Sequence, residues 1–192
     1  EYKELEDLVG LYKVKKEIKN LQSYLEYKKE KEQYGDKMPD LVLHMAFFGN
    51  PGTGKTTVAR LMAGILFNLE FIRYNKCIEC ESKDLIANVP GETAIKTSDK
   101  IQEAMGGILF IDEAYAIADS PYGAECIATL IKSMEDYRND LIVILAGYRT
   151  EMLRFLEVNS GFLSRIAYQL EFEDYSNEEL VSMTTKLFEK YN

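Results

Sequence analysis

Between an apolar run over residues 41–48 and a stretch whose Val58, Ala59, Leu61, Met62, Ile65 and Leu66 recur at helical spacing, the chain reads Gly49-Asn50-Pro51-Gly52-Thr53-Gly54-Lys55-Thr56. This is the pattern G-x-x-x-x-G-K-[ST], set where its mechanism needs it, after a buried strand and before a helix. Glycines allow backbone N–H groups to converge on an anion, and the helix N-terminus adds the positive end of its dipole. Lys55 can then reach the β and γ phosphates of a nucleotide, and Thr56 can hold Mg²⁺. The bland alternative is a plain glycine turn, and the strand and helix on either side weigh against it.

The rest of the pattern agrees with that start. Apolar runs over residues 41–48, 71–74, 108–111, 141–146 and 166–172 are expected as strands, and most lack the strict alternation of a half-exposed sheet. Helices are expected over 13–33, over 93–105 before Gly106 and Gly107, and from the loop at 120–123 to about Tyr137. Strands alternating with helices predict a three-layer α/β fold with a five-stranded parallel sheet. At Tyr175 the pattern changes, and Ser176 with Glu179 forms a capping box that opens a last helix. Neither internal repeats nor a low-complexity tract interrupts this order.

Composition sets the outer limits. With 192 residues, 46% hydrophobic and 29% charged, the chain can bury a core without disulfide or metal staples, which excludes a disordered tail. A net charge of −9 repels polyanions, so neither nucleic acid nor an anionic membrane surface is an expected partner. The apolar run at 141–147 is too short to span a bilayer. Cys77, Cys80 and Cys126 are an odd set, expected as plain thiols in a reducing, cytoplasmic interior; the lone C-x-x-C and the distant His44 make a poor metal or redox site. Because the chain opens on Glu1, it is expected to be a piece of a longer protein, whose flanks could hold a targeting segment.

A second chemical signal lies at the end of the third apolar run. Ile108-Leu109-Phe110-Ile111 ends in Asp112 and Glu113, and carboxylates at the tip of a buried parallel strand beside a phosphate loop are suited to nucleotide chemistry. Asp112 fits a Mg²⁺ partner, and Glu113 fits a general base that orients water for in-line attack on the γ phosphate. A small-molecule kinase has no need of such a base, so the pair favours a Mg²⁺-dependent ATPase.

With those residues in place the chain resembles an AAA+ ATPase, of the branch that contains red-type Rubisco activase and stage V sporulation protein K. The resemblance is carried by the run from Asn50 through Thr57, by Ala104-Met105-Gly106-Gly107 with the strand after it through Ala114-Tyr115, and by Met134-Glu135-Asp136. Leu145-Ala146-Gly147-Tyr148 and Gly161-Phe162-Leu163-Ser164-Arg165-Ile166 extend it, so that it covers nearly the whole chain, from about Leu5 to Tyr175. It implies that Val9 and Gly10 contact the adenine, and that Tyr148 stands where relatives carry a polar sensor of the γ phosphate. It also implies that Arg165 is an arginine finger, acting on the nucleotide of a neighbouring subunit in a ring, taken as hexameric in the full-length protein. Residues 1–175 would be the nucleotide-binding subdomain and 176–192 the first helix of a helical lid mostly missing from this chain.

Departures from the branch qualify what such a ring would do. Leu163 stands where relatives often carry a second basic residue, and Asn88-Val89-Pro90-Gly91 stands where their pore loops carry an aromatic and an aliphatic residue. The expected function is ATP hydrolysis coupled to remodelling of a protein client that the sequence does not name. One alternative is a nucleotide-gated oligomeric scaffold with negligible turnover; a DNA-associated ATPase is the other, disfavoured by the acidic charge.

Overall fold

Runs at 45–48, 108–111 and 142–147 carry almost no polar side chain and are buried along their length as strands covered on both faces, whereas 77–80 and 168–172, at the edges of the sheet, keep exposed positions. The computed structural model describes residues 1–191; Asn192, the end of the expected lid segment, lies outside the described residues. Strands β1 (Met45–Gly49), β2 (Cys77–Cys80), β3 (Ile108–Ile111), β4 (Ile142–Gly147) and β5 (Tyr168–Phe172) pair in parallel in the order β2-β3-β4-β1-β5. The helices are α1 (Tyr2–Asp7), α2 (Tyr12–Gln33), α3 (Lys55–Asn68), α4 (Ser82–Leu85), α5 (Thr93–Ala104), α6 (Gly123–Asp136), α7 (Arg149–Val158), α8 (Ser160–Leu163) and α9 (Asn177–Tyr191). Among the described residues no helix is long and apolar enough to cross a membrane.

Side chains of a strand alternate between faces, and here the alternation sorts the apolar residues into two cores. Met45, Phe47, Ile108, Phe110, Ile142, Ile144, Leu170 and Phe172 pack with α2 and α3 through Ile18, Leu25, Met62 and Leu66. Ala46, Phe48, Leu109, Ile111, Val143 and Leu145 pack on the other face with α5, α6 and α7, through Ile101, Leu130 and Phe155. The five-stranded, three-layer expectation therefore holds, with helices on both faces. The Ser176–Glu179 capping box is also present: Ser176 N–H donates to Glu179 Oε2 at 2.8 Å and Glu179 N–H to Ser176 Oγ at 3.2 Å.

One expected strand is misplaced. Residues 71–74 are irregular, and β2 is instead the C-x-x-C segment. Phe71 N–H turns back to Leu66 O (2.9 Å), and Tyr74 N–H donates to Gly106 O (2.8 Å), just before β3 begins. A strand at 71–74 would have no partner alongside it; only at Cys77, level with Ile108, does the chain reach the sheet. Three residues apart on a strand, Cys77 and Cys80 point to opposite faces, and burial pushes both thiols up to about 12. The outer strand limits contract too, since the run at 41–48 enters the sheet only at Met45 and that at 166–172 only at Tyr168.

His44, just before β1, is buried and ties the lower end of the sheet together. Val143 N–H donates to its Nδ1 at 3.0 Å, so Nε2 carries the proton and donates to Met134 O at 2.9 Å. Burial lowers its pKa below the ordinary value, with Arg165 adding to the fall and the Met134 carbonyl and Glu135 opposing it. Below the unfolded-chain value of about 6.5 the unfolded state takes up a proton that the native state refuses. Stability is thus fully present above that pH and is lost as pH falls toward the folded pKa, by at most about 1.4 kcal/mol per pH unit. Denaturant midpoints measured between pH 7 and pH 5 are expected to fall along this slope, and the chain's single histidine NMR titration should report a pKa below 6.5. His44→Leu should flatten the histidine part of the slope while costing about 1–3 kcal/mol at pH 7, because it orphans the Val143 N–H and Met134 carbonyl.

Candidate active site

Parallel pairing puts the C-terminal ends of β1, β3 and β4 on one edge of the sheet, and their register sets the height at which the chain leaves each strand. Phe48 is level with Gly147 and Ile111 with Leu145, so the loop leaving Gly49, the pair Asp112-Glu113 and Tyr148 emerge within about two residues of one another. Gly49, Pro51, Lys55, Asp112, Glu113, Gly147 and Tyr148 line one cleft there. The two carboxylates stand two strands from β1; β4 lies between, and its own tip supplies Tyr148.

Residues 50–54 wrap tightly between β1 and α3. Gly52 and Gly54 both take positive φ, +76° and +95°, which bends the loop and starts α3 at Lys55. The carbonyls are turned to internal donors: Lys55 Nζ donates to Gly49 O (2.8 Å) and Asn50 O (2.9 Å), and Thr53 Oγ1 to Asn50 O (2.7 Å). Lys55 is 8% exposed, and burial lowers its pKa while Asp112 and Glu113 oppose that shift. Thr56 is half-buried and Thr57 exposed on the first turn of α3, while Asn50, Pro51 and Gly52 lie on the exposed outer side of the loop.

Glu113 is strained. Its φ of 48° and ψ of 44° lie in the left-handed region, sparsely used by side-chain-bearing residues, and its N–H donates to Asp112 Oδ1 at 3.0 Å. A 3-10 turn, Ala114–Ile117, comes immediately after it, which takes the chain away and leaves Glu113 at the cleft. In that turn lies Tyr115, which sequence reasoning did not single out as a site residue. Its ring stands 6.2 Å from that of Tyr148, and a Cβ on Gly147 would meet its Cε1 at 2.7 Å. Burial, then Glu113, push the Tyr115 hydroxyl up to about 12, so it remains a hydrogen-bond donor at neutral pH. The usable signal was its place two residues after an acidic pair at a strand tip.

Val9 and Gly10 form a turn next to the far side of the phosphate loop. Gly10 (φ +66°) and Leu11 (φ +57°) are both left-handed, and Leu11 Cδ1 lies 3.5 Å from a Cβ built on Gly54. Arg165 is not brought to the cleft. It precedes β5 as His44 precedes β1, at the opposite end of the sheet, where Ala167 N–H donates to His44 O. A strand length, roughly 15 Å, separates the two ends. There its Nε lies 3.2 Å from Glu135 Oε2, and Nη1 donates to Gly161 O at 3.1 Å.

Donor chemistry fits a hard divalent cation as well as a nucleotide, since Thr56 and Asp112 offer a hydroxyl and a carboxylate beside the phosphate loop.

Comparison with known proteins bears on the whole chain. Stage V sporulation protein K of Bacillus subtilis (strain 168) is 41% identical over 191 residues, covering 98% of this chain and 59% of that protein. Protein CfxQ of Xanthobacter flavus is 46% identical over 182 residues (93% and 57%), and protein CbbX of Cereibacter sphaeroides 43% over 190 (97% and 62%). The chain thus spans about three-fifths of the length of these relatives. Among solved structures, the FIGL-1 AAA domain in complex with ADP superposes with a TM-score of 0.63 at 17% identity, over 94% of this chain and 59% of that one. Thermotoga maritima RuvB T158V gives 0.54 at 21%, over 84% and 47%, and at such identities the likeness is one of fold. The family described as "ATPase family associated with various cellular activities (AAA)" matches residues 45–173, from the first residue of β1 to just past the last of β5. Built on those strands and on the cleft at their ends, the chain belongs to the AAA family.

Proposed function

We propose that this chain binds Mg·ATP at the cleft and hydrolyses it to ADP and phosphate, as a subunit of a ring that remodels or regulates a protein partner. The observation that carries this reading is the convergence of Lys55, Asp112, Glu113 and Tyr148 on one cleft, with Glu113 held in a strained conformation at its edge. In this reading Lys55 exchanges its contacts with the Gly49 and Asn50 carbonyls for the β and γ phosphates, and residues 50–57 cradle the phosphates through backbone N–H groups. Glu113 accepts the proton of the attacking water, Tyr148 contacts the γ phosphate, and Val9 and Gly10 border the adenine. Mg²⁺, held by Thr56 and Asp112, would neutralise charge developing on the phosphates.

Residues 1–175 would act as the nucleotide-binding unit and 176–192 as the start of a lid. Arg165 sits a strand length from its own cleft, which supports a finger acting in trans and hence a ring. The family match supports an ATPase step more than the sporulation pathway for which one relative is named. The odd cysteine count supports a reducing, cytoplasmic setting, and the net charge of −9 supports protein over nucleic acid as client. Val89, 50% exposed, and Leu163, 48% exposed, favour a second reading, a nucleotide-gated scaffold with negligible turnover. Steady-state phosphate release separates the two.

Lys55→Ala is expected to weaken ATP binding by about 10- to 150-fold, the worth of a lost hydrogen bond to a charged group. Glu113→Gln should keep binding within a few-fold and lower turnover by about 10²–10⁴. Isothermal titration and phosphate release measure the two effects, and equal binding loss in both variants would refute the division of roles. For the ring, Arg165→Ala and Lys55→Ala should each be nearly inactive in the full-length protein. Mixed together they should regain turnover at interfaces where one subunit supplies the intact loop and its neighbour the intact arginine. Rings shown by mass spectrometry to be mixed, yet inactive, would make Arg165 a structural partner of Glu135.

A further inference from the structure

We infer that Tyr175 is a positioning residue of the nucleotide site, holding the phosphate loop through Thr53 and the adenine-side turn through Gly10, and so tying both to α9. It rests on the reading of the cleft as a nucleotide site. Tyr175 lies in the link between β5 and α9, remote in sequence from the two loops it touches. Its hydroxyl donates to Thr53 O at 3.2 Å and would lie 3.2 Å from a Cβ on Gly54. Its ring closes on the other loop, with Cδ1 3.4 Å from a Cβ built on Gly10. Two neighbours act alongside. Asp174 accepts from Asn50 Nδ2 at 2.8 and 2.9 Å, and Glu179, fixed by its capping bonds, sets Oε1 2.5 Å from the same Gly10 position.

Peptide geometry carries the Tyr175 contact into the shape of the loop. A trans peptide points its C=O and N–H in opposite directions, so holding the Thr53 carbonyl toward Tyr175 turns the Gly54 N–H away from it. Gly49 and Asn50 have their carbonyls taken by Lys55, so three carbonyls of the segment are held by internal donors. An anion-binding loop needs that arrangement, with oxygens turned back and N–H groups left free to converge. Lys55 must let go when phosphate arrives, whereas Tyr175 and Asp174 can stay, since neither lines the cleft. They therefore keep the loop shaped through binding, and α9 cannot swing far without loosening it. Burial, then Glu179, raise the Tyr175 pKa above its ordinary value, which keeps the phenol a donor at any physiological pH.

Tyr175→Phe keeps the ring and deletes the donor. Titration of the protein with a fluorescent ADP is expected to show about fivefold weaker binding, with KM for ATP raised by a similar factor and kcat changed less than twofold, because no reacting atom is touched. Without ligand, the backbone amide of Val58, which donates to Gly54 O at 2.9 Å where the loop enters α3, should exchange faster with deuterium while those of β1 and β4 do not. Asp174 supplies an independent arm: Asp174→Asn and Asp174→Ala remove the same charge, but only Asn keeps an acceptor for Asn50, so Asn should bind ADP more tightly than Ala. ADP affinity and Val58 exchange unchanged in Tyr175→Phe would overturn the proposal and leave Tyr175 as packing. Lys55→Ala runs beside them: if it too binds ADP like the unsubstituted protein, the nucleotide reading itself fails and this inference falls with it.

Discussion

Pairing of β4 between β1 and β3, all three parallel, is the constraint on which the cleft depends. Ladder hydrogen bonds allow no gradual slip, because a one-residue shift would turn every side chain of a strand to the opposite core. With Phe47 and Phe110 packed on one face and Phe48 and Ile111 on the other, such a shift is forbidden for β1 and β3 alike. Adjacent strands lie about 4.8 Å apart, so the phosphate loop and the carboxylates stand roughly 10 Å from each other with Tyr148 on the strand between. Two large apolar cores thus fix the spacing of a handful of polar groups, none of which the cores need for their own stability.

Strain and desolvation collect where the cores stop. Glu113 adopts a left-handed backbone that costs on the order of 1–3 kcal/mol in a side-chain-bearing residue, and Lys55 is buried against backbone carbonyls. Neither arrangement improves packing. The surrounding sheet can impose them because β3 and α3, which carry them, are anchored by residues with almost no exposure, among them Ile108, Leu109, Val58 and Leu66. At the other end of the same strands His44 fills all its hydrogen-bonding capacity, and polarity there serves to bind β1 to β4 and α6.

Much of this was legible in the sequence because it is local. The strand–loop–helix around Lys55, the apolar strand ending in Asp112-Glu113, and the Ser176 capping box are each set by a few consecutive residues whose chemistry has one good solution. The second strand was not legible, because Phe71 to Tyr74 are as suited to a strand as Cys77 to Cys80, and only the height at which β3 begins decides between them. Tyr115 and Tyr175 were missed for a related reason. An aromatic residue reads as core in any sequence pattern, and what distinguishes these two is a tertiary contact, with Tyr148 in one case and with Thr53 in the other. The short helices α1, α4 and α8 escaped as well, being shorter than the span over which periodicity can be read, and so did the ten-residue α7, which buries Met152, Phe155 and Leu156.

The division of the sheet into two chemically different ends also bears on Arg165. A side chain extends only about 6–7 Å, less than half the strand length between it and the cleft of its own subunit. Its Nε approaches the Glu135 carboxylate and an Nη donates to the Gly161 carbonyl, so in the isolated chain the guanidinium already has partners. With the Glu135 carboxylate half exposed, that ion pair is weak and easily exchanged. The fold therefore leaves the arginine at the end of the sheet away from the cleft, in a contact easily exchanged, while Asp112 and Glu113 come directly after a strand that cannot slip.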